Sequence, residues 1–278
     1  MNKLCLALHI GFLMGACSPE ENEFSHNNAT TLIKIEQRKF ERGVLYEKTI
    51  MEFENNKPKL NSFYDDEDEL LYTTEWKYSE DHDLTSIQSY SSEGVLKSEV
   101  KITYDELKRI IKIATERPDK MYFNLIKFTH NSDHTIISEA NMNGFEITKT
   151  FEINGDGLIY KEIEEGEVKV LAEYDNNASV ITSTSPNDIY DYTYSKKGSF
   201  PFSFNKIFGA NPINIVLFHN SLAFSMDYLS PRLITRVTSK LCPIVEKYVY
   251  MLNENGFPLS KKEYYQGEVQ NEFYYTYE

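Results

Sequence analysis

The sequence predicts an all-β protein, a long antiparallel meander of successive hairpins. Three observations carry that expectation. Aromatic residues followed by polar turns recur at nearly even steps, the runs between turns alternate apolar and polar residues, and β-favouring rings are abundant, with 20 Tyr and 17 Phe in 278 residues.

The repeat comes first. Phe53 precedes Glu-Asn-Asn-Lys, Tyr78 precedes Ser-Glu-Asp-His-Asp, Tyr104 precedes Asp-Glu, and Phe128 precedes Thr-His-Asn-Ser-Asp. Phe151, Tyr174 and Tyr194 continue the series, with steps of 25, 26, 24, 23, 23 and 20 residues. Return turns lie between them at Asp65-Asp66-Glu67-Asp68, Ser91-Ser92-Glu93-Gly94, Glu116-Arg117-Pro118-Asp119, Asn141-Met142-Asn143-Gly144, Glu164-Glu165-Gly166 and Ser185-Pro186-Asn187-Asp188. A turn roughly every twelve residues makes each period one hairpin.

Within the runs the side chains sort by parity. Val100, Ile102 and Tyr104 share one face while Lys97, Glu99, Lys101 and Thr103 share the other, and Trp76 and Tyr78 oppose Glu75 and Lys77. One face is apolar and one is wet. A barrel embedded in lipid needs a continuous apolar outer band with aromatic girdles. Lys149 interrupts the row of Ile147, Phe151 and Ile153, and the chain ends in Glu278, so an integral membrane barrel is not expected. A sheet of about 16 strands cannot stay flat and has to curl, close or split.

The pattern breaks over about 198–241. Phe200-Pro201-Phe202 leads to Asn211-Pro212 and the apolar run Ile213 to Phe218, which predicts a short helix or irregular plug with proline at its first position. Strands resume at Tyr248-Val249-Tyr250, turn at Asn253-Glu254-Asn255-Gly256 and Gln266-Gly267-Glu268, and end with Phe273 to Tyr277.

The N-terminus reads as an address. Lys3 precedes an apolar run from Leu4 to Met14, then Gly15-Ala16-Cys17 and an abrupt polar shift at Ser18-Pro19-Glu20-Glu21. This is a secretory signal over residues 1–16, about ten apolar residues where a spanning helix needs roughly twenty. Small residues before Cys17 resemble the lipobox of bacterial lipoproteins. That resemblance implies acylation of Cys17, attachment to membrane lipid through it, and cleavage before it. Ser18 with Glu20, Glu21 and Glu23 resembles outer-membrane and surface-export signals. Residues 17–31 are polar and without periodicity, a tether, and 32–278 form a single β domain.

Removal of 1–16 costs only Lys3 among the basic residues, leaving 43 acidic side chains against 28 and a formal charge near −15. That field repels phosphate backbones, so nucleic acid is not an expected partner. Of the three cysteines, Cys5 leaves with the signal and Cys17 takes lipid; Cys242 is then alone, so stability has to come from packing.

The recurring aromatic, Asp/Asn-rich turn and aliphatic, as in Tyr174-Asp175-Asn176-Asn177 and Tyr250 through Asn255-Gly256-Phe257-Pro258, resembles tyrosine-aspartate repeats. Together with the lipobox and the break at Phe200-Pro201-Phe202, the chain resembles uncharacterised bacterial lipoproteins described as having a porin-like fold. The resemblance implies a long antiparallel meander curled into a half-open barrel, with the irregular segment packed against its concave side, and no catalytic residues.

Candidate chemistry is thin. His130 and His134 flank one turn with no third ligand in view, and a loop enforces no metal-binding spacing. Asn154-Gly155-Asp156-Gly157 lacks the alternating acids and closing Glu of a calcium loop. Acids at Asp65 to Glu69 and at Glu162, Glu164 and Glu165 could hydrolyse a glycoside only if two faced each other across a cleft. Cys242 before Pro243 reads as a packed thiol, and no nucleophile elbow or phosphate loop is present. The sequence therefore leads to a lipid-anchored binding or scaffolding protein of the outer membrane or cell surface, without cofactor, metal or enzymatic activity. The alternative is a carrier holding an apolar or glycan ligand on the concave face, with Trp76 and the tyrosine rows as a stacking platform.

Overall fold

A computed structural model describes residues 31–278 apart from 119–122, 143, 176–179, 186–187, 201–231 and 241–244. Eighteen strands follow in order: β1 Leu32–Glu41, β2 Val44–Glu54, β3 Lys57–Tyr64, β4 Leu70–Tyr78, β5 Leu84–Ser91, β6 Leu96–Tyr104, β7 Ile110–Glu116, β8 Phe123–His130 and β9 Thr135–Met142. The second half comprises β10 Phe145–Ile153, β11 Ile159–Glu164, β12 Glu167–Tyr174, β13 Val180–Ser185, β14 Asp188–Ser199, β15 Arg232–Ser239, β16 Val245–Leu252, β17 Pro258–Tyr265 and β18 Glu268–Tyr277.

Every strand pairs antiparallel with its neighbours in the chain, and β1 also pairs with β18. The sheet is therefore a full barrel of 18 strands, and the expected half-open curl is corrected. Closure comes from pairing between the two ends of the chain, from Leu32 with Tyr277 to Lys39 with Asn271. The backbones of Thr31 and Glu278 exchange both hydrogen bonds, at 3.1 and 2.9 Å. Among the described strands no edge is left for another chain to extend. Among the described residues there is no helix, and Arg232–Ser239 is a paired strand within the segment 198–241 expected to be irregular, a correction of that expectation; the helix expected from Asn211-Pro212 lies outside the described residues, as do the expected signal peptide and the tether up to Thr30, Cys17 and Cys242.

The meander sends all turns that follow even-numbered strands to one end, together with both ends of the closed sheet at Thr31 and Glu278; this is the termini end. Turns that follow odd-numbered strands form the far end. At the termini end the repeat shows its physical origin. Asp105 Oδ1 accepts the backbone N–H groups of Leu107 and Arg109, both at 2.9 Å, and Asn253 Oδ1 accepts those of Asn255 and Phe257 at 3.0 and 2.9 Å. The side chain thus makes the turn that the backbone alone leaves unpaired. His82 and Lys108 sit at positive φ of 67° and 61° in equivalent turns, where Gly256 stands in the β16–β17 turn.

A tyrosine near this end of β4, β6, β12, β14 and β18 reaches back to the preceding strand. Tyr78 Oη donates to Pro58 O at 2.8 Å, Tyr104 to Leu84 O at 2.8 Å, Tyr174 to Ile159 O at 2.6 Å, Tyr194 to Val180 O at 2.6 Å and Tyr277 to Pro258 O at 2.8 Å. His130 takes the same place, its Nε2 2.8 Å from Ile110 O. A register shift at Tyr78, Tyr104 and Tyr174 sets the aromatic out of step with its partner strand. Burial pushes the phenols of Tyr78 and Tyr174 up, the latter to about 12, and burial with the Asp83 carboxylate pushes Tyr104 up to about 12. They remain hydrogen-bond donors at neutral pH.

The apolar parity faces inward. Leu32, Ile35, Phe53, Trp76, Leu84, Ile110, Ile113, Ile136, Phe151 and Tyr275 belong to one buried cluster. Phe200, just past β14, meets Tyr275 of β18 with ring centroids 5.7 Å apart, a contact between strands four apart that only the interior permits. Most of this cluster lies toward the termini end.

Candidate functional site

The outer parity is charged. Arg38 lies 2.8 Å from Glu36, Lys262 2.6 Å from Glu272, Lys161 2.7 Å from Glu152, and Lys101 3.2 and 3.6 Å from Glu99 and Glu116. The registers place these residues opposite in parity to Ile35, Phe273, Phe151 and Ile102. Burying such a wall in hydrocarbon would strip hydration from many ions whose mutual attraction is weak on a wet surface.

The candidate site is therefore the lumen, where polar residues break the apolar parity beyond the packed end. On β17, Lys261 is 0 % exposed; its Nζ lies 2.6 Å from Glu263 Oε1, 3.8 Å from the Phe273 ring centroid and 5.6 Å from that of Tyr248. Asn271 donates to Glu263 Oε2 at 2.6 Å, and Gln37 donates to Asn271 Oδ1 at 3.3 Å. Lys39 pairs with Glu47 on the next strand. On β10, Lys149 lies 2.6 Å from Glu162 and 3.2 Å from Glu164. Burial pulls the Lys149 ammonium down, but the two carboxylates outweigh it and hold its pKa above the ordinary range.

A neutral stretch of inner wall separates these charged groups. Rungs run from Met51 to Asn61, Thr74 and Ser89, and from Thr49 to Phe63 and Tyr72. Thr74 Oγ1 and Ser89 Oγ are 3.1 Å apart. Phe63 and Tyr72 stack with centroids 4.1 Å apart and an interplanar angle of 15°.

The residues singled out in the sequence fall elsewhere. His130 caps a strand, whereas His134 is exposed at φ 63° in the following turn. Asn154 builds a turn by accepting the N–H groups of Asp156 and Leu158 at 3.1 and 2.9 Å. Asp65 Oδ1 likewise accepts from Glu67 and Glu69. Glu162 and Glu164 face Lys149, while Glu165 occupies an exposed turn. Trp76, expected in a stacking platform, is 4 % exposed and packed into the core. Among the described residues no three His, Cys, Asp or Glu side chains converge as metal ligands would. Sequence reasoning missed Lys261, Glu263, Asn271 and Asn61. Their signal was a strand such as Lys-Pro-Lys-Leu-Asn-Ser or Ser-Lys-Lys-Glu, in which neither parity is purely apolar.

No family model and no curated protein matches the chain. Among solved structures it is similar to a porin-like protein from Bacteroides uniformis, with 14 % identity over 90 % of this chain and 98 % of that one and a TM-score of 0.30. It is also similar to TcdB2-TccC3, with 12 % identity over 82 % of this chain and 10 % of that one and a TM-score of 0.19. Likeness at these scores assigns neither a site nor an activity.

Proposed function

We propose that the protein is a non-enzymatic binding or scaffolding lipoprotein, a water-exposed barrel held at the outer membrane or cell surface by acyl chains on Cys17. The observation that carries this reading is the ion-paired outer wall, which suits water and not lipid. Two features support it: Leu32 begins β1 at the termini end, where a tether over 17–31 would join the barrel, and Gly15-Ala16-Cys17 resembles a lipobox. Labelling cells with palmitate tests it. The wild type is expected to take the label and sediment with membranes, and Cys17→Ala to take none and appear in the soluble fraction. An unlabelled wild type, or a Cys17→Ala chain that stays in the membrane after an alkaline wash, contradicts the reading.

The second reading is a carrier whose ligand, apolar or glycan, lies against the inner wall. The neutral hydrogen-bonding rungs of β2 to β5 favour it, because a wall serving only as core has no need of Asn61, Thr74 and Ser89 on its inner face.

A further inference from the structure

We propose that the inner wall of β2 to β5 is a contact face for a neutral carbohydrate, an inference that rests on the carrier reading and narrows its ligand to one chemical class.

Four small neutral side chains, Thr49, Asn61, Thr74 and Ser89, share this face on consecutive strands. Thr49 and Asn61 are 2 % and 1 % exposed, and among the described residues Thr49 Oγ1 and Asn61 Oδ1 have no hydrogen-bond partner. Native interiors rarely leave such atoms unmatched. Asn61 Oδ1 can only accept, so its partner has to be a donor. On the rung toward the far end, Tyr72 is 40 % exposed with Phe63 stacked behind it, which fixes the ring while leaving it open to a ligand. The luminal cation on the neighbouring strand β1, Lys39, is committed to Glu47.

This combination selects among ligands. An apolar chain would fill space and still leave Asn61 Oδ1 without a donor. An anion would find no uncommitted cation on these rungs. A sugar ring supplies hydroxyl donors along its edge and a C–H face that lies flat on an aromatic ring. Both oxygens are covered in the free protein, so binding has to displace the side chains over them, and Tyr72 is the point of entry.

The chain has a single tryptophan, Trp76, on the same inner face two residues beyond Thr74 on β4, so its fluorescence reports on the site. The mature chain carrying Cys17→Ala keeps the whole barrel and is titrated with neutral gluco-, galacto- and manno-oligosaccharides and, separately, with a brominated fatty acid that quenches indole on contact. A saturable change with at least one oligosaccharide is expected. Its affinity should fall tenfold or more in Asn61→Leu and in Tyr72→Ala and survive in Tyr72→Phe, which keeps the stack. If Asn61→Leu does not fold, the two Tyr72 variants decide. Quenching by the fatty acid with no response to any oligosaccharide overturns the carbohydrate and leaves the carrier. No response to either probe overturns both. Oligosaccharide binding indifferent to Asn61 and Tyr72 places the ligand elsewhere and overturns the site.

Discussion

The two halves of the lumen are built from the same strands and differ in nearly everything else. Toward the termini end the inward side chains are Leu32, Phe53, Leu84, Ile110, Ile136 and Phe151, none more than 6 % exposed, and tyrosine hydroxyls tie β4, β6, β12, β14 and β18 each to the strand before it. Toward the far end they include Lys39, Glu47, Tyr72 and Glu164, and apolar residues such as Phe145, 76 % exposed, stand open. The difference separates two regions along one axis: apolar packing is concentrated at the termini end, and polar and open side chains lie toward the opposite mouth.

Substitutions graded along that axis measure the separation. Phe151→Ala removes a ring 2 % exposed, and urea unfolding should show a loss of about 3–5 kcal/mol. Phe145→Ala, on the same strand at the far end, should stay within about 0.5 kcal/mol, as surface changes do. Equal losses at the two positions would erase the distinction.

The hydroxyl links come next. Tyr104→Phe keeps the ring but leaves Leu84 O without its partner, at a cost of about 1–3 kcal/mol in the same assay. Their pH dependence has a definite sign. Folded Tyr104 and Tyr174 hold their protons to about 12, above the ordinary value near 10, so their contribution is complete below pH 10. It is lost as pH rises from about 10 to 12, because only the unfolded chain gives up its protons there. Thermal melts from pH 8 to 12 should fall steeply above 10, and less steeply in the double variant Tyr104→Phe, Tyr174→Phe. The smallest effect belongs to the outer wall: Lys101→Ala, whose two carboxylate partners sit in water, should change stability by no more than about 0.5 kcal/mol.

Much of this architecture was legible because it is local. The period from Tyr78 to Tyr104 is one hairpin step, and the Asp and Asn after the aromatics are the side chains that close the turns. Alternation around Trp76 and Ile102 correctly separated a buried parity from a wet one. Closure was not legible, because it rests on the pairing of Leu32–Glu41 with Glu268–Tyr277, segments more than 200 residues apart, and on twist summed over the whole wall. The strand count fell short, about 16 against 18, in part because β15 lies within the segment 198–241 that was expected to be irregular. Lys149, which interrupts an apolar row in the sequence, faces inward onto Glu162 and Glu164; a linear reading sees the charge but not the partners that make its burial affordable. The luminal polar residues were invisible for the same reason. Asn61 and Lys261 resemble surface residues until the barrel closes around them.

The most direct test concerns which side of the wall meets water. A chain lacking residues 1–30, purified in the absence of detergent, should remain monodisperse with a β-sheet circular dichroism spectrum and a blue-shifted Trp76 emission maximum, since the ring is packed inside and the ion pairs face out. A chain that aggregates until micelles are added, then folds with Trp76 quenched by lipid-borne quenchers, would mean that the wall meets hydrocarbon and that the inside and outside assigned here are reversed.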